Sequence, residues 1–111
     1  MSDIKDNKEW FAIYVRSRSE KMVFKQLGDM GVESFLPLIT RLKQWSDRKK
    51  KVVEPLFRSY IFLRHDLNDP KKYYDILNIP GVVRFITIEK KPVAVPENQI
   101  IAIKEYLNDT E

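Results

Sequence analysis

Between Trp10 and Arg16 the chain reads "WFAIYVR", and period two places Phe11, Ile13 and Val15 on one face of a strand, with Ala12, Tyr14 and Arg16 on the other. The next stretch, "SRSEKMVFKQLGDMG", switches to helical spacing. Val23, Leu27 and Met30 share a face, Ser17 and Glu20 have the spacing of a capping box, and Gly31 is placed to end the helix. Strand character returns in "ESFLPLITRLKQW", where Pro37 has no N–H to donate and so implies an edge position or a bulge. Ser46 to Lys51 reads as a turn, and "KVVEPLFRSYIFLR" as its hairpin partner, interrupted at Pro55. Asp69 as cap and Pro70 at the first helical position open a second helix running to Leu77, before "IPG" stops it. Gly81 to Ile88, "GVVRFITI", reads as the fourth strand. "KKPVAV" is a connector with some strand character, and Pro96 opens a last helix with Ile100, Ile103 and Leu107 on one side.

The order β-α-β-β-α-β plus a C-terminal helix predicts an α+β, ferredoxin-like split βαβ fold: a four-stranded antiparallel sheet with helices packed on one face. The first and third strands are central in that topology, so their second rows decide what the sheet presents. If Phe11, Ile13, Val15, Ile61 and Leu63 face the helices, the opposite rows carry Tyr14, Arg16, Arg58, Tyr60, Phe62 and Arg64. Such a row is a docking surface if left open, because exposed aromatic patches on monomers are usually functional. It is a second small core if "KKPVAV" or the last helix covers it.

Composition narrows the chemistry. The 111 residues suit one domain, and 43% hydrophobic with 32% charged residues is ordinary for a globular chain. A net charge of +4, from 20 Lys and Arg against 16 Asp and Glu, points to local rather than general polyanion sites. One row of basic residues is Arg16, Arg18, Lys21 and Lys25 around the first helix. Another is Arg48, Lys49, Lys50 and Lys51, capping the hairpin next to Trp45, which reads as packing the hairpin base. Both have the competing reading of a solvated surface. The polar residues 1–9 are expected to form a flexible segment unlike a secretory signal, and with no cysteine and no membrane-length apolar run a cytoplasmic setting is expected. The sole histidine, His65, has no Gly-rich phosphate loop or metal-ligand cluster beside it, and Asp66, Asp69 and Asp75 read as cap and surface residues. "RSRSE" stands where acylphosphatase-like enzymes of the same topology carry a Gly-rich anion loop. A noncatalytic domain without cofactor or metal is therefore expected.

Two resemblances bear on the open sheet face. "RSYIFLRH" is similar to the third-strand signature of the RNA-recognition motif at Arg58, Tyr60 and Phe62, and departs from it at Ser59, Ile61 and His65. That implies a single-stranded RNA- or DNA-binding domain. More extensively, "WFAIYVRSRSEKMVFKQL", "GVESFLPL", "PLFRSYIFL", "GVVRFI" and "KPVAVPENQI" resemble, in order and spacing, the N-terminal (NGN) domain of the NusG family of transcription elongation factors. "FLPL", "QWSDRKKK" and "PLFRSYIF" look closest to its RfaH-like antiterminators, of the UpxY type associated with capsular polysaccharide operons. The resemblance implies a monomeric domain over residues 10–108 that docks on the clamp helices of the largest RNA polymerase subunit and suppresses pausing or termination. The matching contact positions are Tyr14, Tyr60 and Phe62, with Phe85 and Ile88 on the fourth strand. It further implies that the first helix faces non-template DNA in the transcription bubble. Lys72 and Tyr73 stand where family members touch the gate loop of the second-largest subunit, in place of the threonine-rich pattern of RfaH. The C-terminal KOW barrel usual in the family is expected to be absent from this chain.

Overall fold

The computed structural model describes residues 7–109, so the flexible segment expected over residues 1–9 lies largely outside the described residues. Its last residue, Glu9, already belongs to the first strand. β1 (Glu9–Val15) is the centre of the main sheet. It pairs antiparallel with β5 (Tyr60–His65) along one side. On its other side lie β6 (Val82–Phe85) and β9 (Ala94–Val95), one after the other. β2 (Ser34–Phe35) adds to the outer side of β5.

The β1–β5 register sets Phe11 opposite Leu63 and Ile13 opposite Ile61, and all four are buried. Against this row pack Val23 and Leu27 from α1 (Glu20–Asp29) and Ile76 from α2 (Pro70–Leu77), with Val32, Leu36 and Ile79 filling the margins. Each such side chain contributes about 1.5–3 kcal/mol by leaving water. α1 ends where Gly31, at φ 77°, donates its N–H to the Gly28 carbonyl and Val32 donates to Leu27, a Schellman motif. α2 starts as expected, with Asp69 accepting from the Lys72 N–H at 3.1 Å and Pro70 in the first turn.

The expected capping box does not form. Ser19 is the N-cap and makes no side-chain cap bond. The Glu20 carboxylate, 6% exposed, instead accepts the Ser59 N–H at 2.8 Å. Ser59 holds φ 69° at the entry to β5, so its amide turns away from the ladder and meets the buried carboxylate.

The single long strands of the sequence reading are broken at their prolines. Pro37 separates β2 from β3 (Leu38–Trp45), and β4 (Arg48–Pro55) ends at the second proline before β5 begins. β3 and β4 thus leave the main sheet as a separate two-stranded ribbon, and the molecule measures 58 × 31 × 29 Å. The turn expected over Ser46 to Lys51 spans only Ser46 and Asp47, so Arg48 to Lys51 are strand residues. The fourth strand is shorter too. Tyr14 faces Arg84 while Val15 faces Val82, which leaves Val83 as a bulge residue. Beyond it, β7 (Thr87–Ile88) and β8 (Lys91–Pro92) form a small hairpin whose tip, Glu89 and Lys90, holds φ of 52° and 69°.

The split βαβ architecture is as expected, with α1 and α2 together on one face. α3 (Glu97–Asp109) differs: its Ile100 lies against Trp10 and Phe62, which belong to the opposite row of the sheet. Helices therefore cover one face fully and part of the other.

Gly81 is fixed by two constraints at once. Its φ is 99°, and a Cβ there would lie 3.0 Å from the Ser19 Cβ and 3.1 Å from the Val23 Cγ2. Its carbonyl also accepts the Arg16 N–H. Gly81→Ala is expected to lower stability by about 2 kcal/mol or more in urea unfolding, since strained backbone and a close contact are added together. A change under about 0.5 kcal/mol, the size of an ordinary surface effect, would show that α1 and the α2–β6 loop do not pack this tightly.

Candidate docking face

On the sheet face away from α1 and α2, strand alternation places Trp10, Ala12 and Tyr14 of β1 beside Arg64, Phe62 and Tyr60 of β5. The row divides into two halves. One half is a second core: Trp10 and Phe62 are buried under Ile100, with Phe35, Val95 and Ile103 around them. The Lys104 ammonium of α3 lies 5.1 Å from the Phe35 ring centre and 6.0 Å from that of Trp10. The other half stays open. Tyr14 and Tyr60 lie 5.6 Å apart, Tyr60 is 38% exposed, and the Arg84 guanidinium sits 5.6 Å from the Tyr14 ring. Phe57, also 38% exposed, meets Phe62 edge-on at 6.1 Å and continues the cluster.

Of the five expected docking residues, then, Tyr14 and Tyr60 come together on an open surface. Ile88 is exposed, but on the separate β7–β8 hairpin. Phe62 is largely buried by α3. Phe85 is 1% exposed and stacked on Tyr73 in the main core, so it presents nothing to a partner. The bulge at Val83 is the reason: it shifts the alternation, turning Phe85 inward and Arg84 outward. Arg84 and Phe57 are cluster members that the sequence reading missed. Both occupy places where regular alternation fails, one beyond a bulge and one in the irregular link between β4 and β5. Of the gate-loop positions, Tyr73 is in that core and Lys72 donates to the Met30 carbonyl at 3.3 Å.

The first basic row does not form one helical face. Arg16 and Arg18 precede α1, and Arg18 holds φ 70° in the turn, while Lys21 and Lys25 are exposed on the helix. Lys25 pairs with Asp29 at 3.3 Å. Arg18 and Arg58 line a cavity of about 260 Å³ together with Glu20 and Glu54, so its charge is balanced. The second row lies on the ribbon. There Glu54 binds Arg41 and Lys43, each at 3.1 Å. The hydrogen bond from Lys43, aided by the nearby positive charges, holds the Glu54 carboxyl below the usual carboxylate range. Among the described residues no group of three His, Asp or Glu side chains is placed to hold a metal, and no helix is long and apolar enough to cross a membrane.

The described residues thus form an antiparallel split βαβ sheet with an aromatic, arginine-flanked half-face. The comparisons with known proteins place it more narrowly. Residues 8–104 match the family model described as "Transcription termination factor nusG". The chain belongs to the NusG family. It is 31% identical to the transcription termination/antitermination protein NusG of Helicobacter pylori (strain J99 / ATCC 700824), over 91% of this chain and 62% of that protein. With the corresponding protein of Rickettsia bellii (strain RML369-C) it is 26% identical, over 90% of this chain and 57% of the relative. A solved structure described as "Domain interaction in Thermotoga maritima NusG" superposes with a TM-score of 0.64 at 25% identity, covering 94% of this chain and 59% of that one. The chain thus spans somewhat over half the length of the relatives it matches.

His65 is a core group, not part of the open face. It is 2% exposed among Phe11, Tyr73 and Phe85, at ring distances of 6.4, 6.0 and 5.9 Å. Its Nε2 is buried with no hydrogen-bond partner. Burial lowers its pKa below the ordinary histidine value, against an upward pull from Asp69 and Asp66. The unfolded chain therefore binds this proton more readily than the folded one. Stability should be full above about pH 6.5 and should fall as pH drops from there through the folded-state pKa. As the chain has one histidine, urea unfolding between about pH 7 and about pH 5.5 isolates it. His65→Phe should flatten that slope, and an unaltered slope would mean that the imidazole is protonated as easily folded as unfolded.

Proposed function

We propose that this chain docks on RNA polymerase through the Tyr14–Tyr60 half of its open face, as the N-terminal domain of an RfaH-like antitermination factor of the UpxY type. The observation that carries this is the contact of exposed Tyr60 with half-buried Tyr14, with Arg84 against the Tyr14 ring and exposed Phe57 against Phe62. Aromatics with an arginine are the groups that most often anchor a protein interface, giving large contact area at little entropic cost. The partner surface is a helical coiled coil, the clamp helices of the largest polymerase subunit. Ile88 on the neighbouring small hairpin is a further candidate contact, whereas Phe62 supports the cluster from below. Docked there, the domain holds the clamp closed across the DNA channel and suppresses pausing or termination, with operons for capsular polysaccharide as its field of action. Arg16, Arg18, Lys21 and Lys25 then face the non-template strand, and Arg48 to Lys51 reach nucleic acid from the ribbon. Protein docking is favoured over an RNA-recognition mode because α3 covers Phe62, leaving only Tyr60 of that motif's aromatic pair to stack on a base.

Tyr14→Ala and Tyr60→Ala should each weaken binding to purified core polymerase by about 2 kcal/mol, roughly 30-fold. Both should melt close to the parent, within about 1 kcal/mol. Phe85→Ala should do the reverse, costing about 3–5 kcal/mol of stability as a core truncation. A Tyr60→Ala variant that keeps parental polymerase affinity would remove the basis of this reading.

A further inference from the structure

The ribbon carries chemistry that the docking face does not use. Its register pairs Trp45 with Arg48, Lys43 with Lys50 and Arg41 with Val52, so these side chains share one face of β3–β4. The neighbouring pairs, Leu42 with Lys51 and Thr40 with Val53, belong to the other face, which also carries Lys49. Alternation thus splits the run Arg48 to Lys51. Arg48 and Lys50 join an aromatic, while Lys49 and Lys51 join the exposed aliphatics Leu42 and Val53.

Trp45 does not pack the base of the hairpin as its sequence position suggested. It stands beside the two-residue turn at the tip, is 52% exposed, and belongs to neither hydrophobic core. The Lys50 ammonium lies 5.5 Å from its ring centre. Trp45, Arg48 and Lys50 line a shallow depression of about 440 Å³ together with Ser46 and Asp47. Glu54 already engages Arg41 and Lys43 toward the root of the ribbon. Among the described residues, Arg48 and Lys50 at the tip have no carboxylate partner.

We propose that this face of the ribbon tip grips single-stranded nucleic acid, with Trp45 stacking on an unpaired base and Arg48 and Lys50 contacting the flanking phosphates. The inference rests on the ribbon's nucleic-acid role in the proposed function, not on docking to polymerase. A flat, exposed indole finds an accessible base face in a single strand, and a base-paired stack offers none along its length. Basic groups at alternate positions repeat every ~7 Å along a strand, so they follow an extended backbone rather than converge on one anion. The arrangement engages phosphates and a base face, features that DNA and RNA share. Asp47 opposes the grip at close range, which makes it a useful reporter.

The test titrates the full chain, at low salt and without polymerase, against fluorescent oligothymidylate, oligouridylate and a duplex of equal length, each of about 12 nucleotides. Tryptophan emission should be quenched on binding, and the signal belongs to Trp45 because Trp10 is 5% exposed in the second core. Trp45→Ala should weaken single-strand binding about 5- to 100-fold, while Trp45→Phe retains most of it. The pair Arg48→Gln and Lys50→Gln should flatten the salt dependence by about 1.4, at about 0.7 per phosphate. Lys49→Gln with Lys51→Gln should flatten it less, and Asp47→Asn should tighten binding. Stronger binding to thymidylate or to uridylate would identify the strand; either supports the grip. A parent that ignores both single strands, a Trp45→Ala variant that binds as the parent does, or a duplex bound as tightly as the single strands would overturn it. Tyr60→Ala should leave oligonucleotide binding unchanged, so failure of the docking face and failure of the ribbon are separately visible.

Discussion

The pairing of β1 with β5 in one register, Phe11 opposite Leu63 and Ile13 opposite Ile61, is the constraint on which both faces of the sheet depend. Because side chains alternate with period two, the register that sends these four residues beneath α1 and α2 also sends Tyr14 and Tyr60 outward as direct neighbours. A slip of one residue would exchange core and surface together. The slip is opposed from outside the ladder. The Val15 N–H donates to the Ser59 carbonyl, the Ser59 N–H donates to Glu20, and the Arg16 N–H donates to Gly81. The N-terminal end of α1, the entry to β5 and the entry to β6 are therefore tied to the same end of β1.

α3 then decides how much of the outward row is available. Its Ile100 and Ile103 lie over Trp10 and Phe62, and Lys104 lies near the Trp10 and Phe35 rings. The covered half anchors the uncovered one. Phe62 supports Phe57 edge-on, and Ala12, between Trp10 and Tyr14, has too small a side chain to crowd them. An aromatic cluster backed by a packed layer keeps its rings in place before a partner arrives, which lowers the ordering cost of docking.

The fold was legible because long periodic segments and strong punctuation agreed. The alternation in β1, the Val23–Leu27 helical face, Asp69 with Pro70, and Gly31 each mark a boundary by local chemistry that the structure uses. What was illegible was set by tertiary geometry. The family resemblance put Phe85 among the contact positions, but a bulge gives no local warning, and beyond Val83 the register sets Phe85 opposite Ile13 in the core. Pro37 and Pro55 signalled interruption, but not that the strands between them would leave the sheet as a ribbon. Ser17 and Glu20 matched a capping spacing, yet the carboxylate was needed by an amide 39 positions away. Phe62 obeys its strand parity, which allows the outward row to be either surface or second core. It is both, because a helix whose apolar side faced an unknown neighbour covers only one end.

The ribbon also changes how the molecule meets a large target. With the two-stranded arm set apart from the sheet in a molecule whose long axis is 58 Å, the aromatic half-face and the basic tip occupy different parts of one elongated frame. If the half-face docks and the tip grips as proposed, such a molecule is bivalent. Once either end is engaged, the other searches only the volume its own frame allows, at an effective concentration set by geometry rather than by the amount of protein. Weak contacts at both ends then combine into avidity, and that avidity vanishes on any target whose two surfaces are wrongly spaced. The length of the arm thereby acts as a ruler, and selectivity can reside in a distance as much as in any side chain.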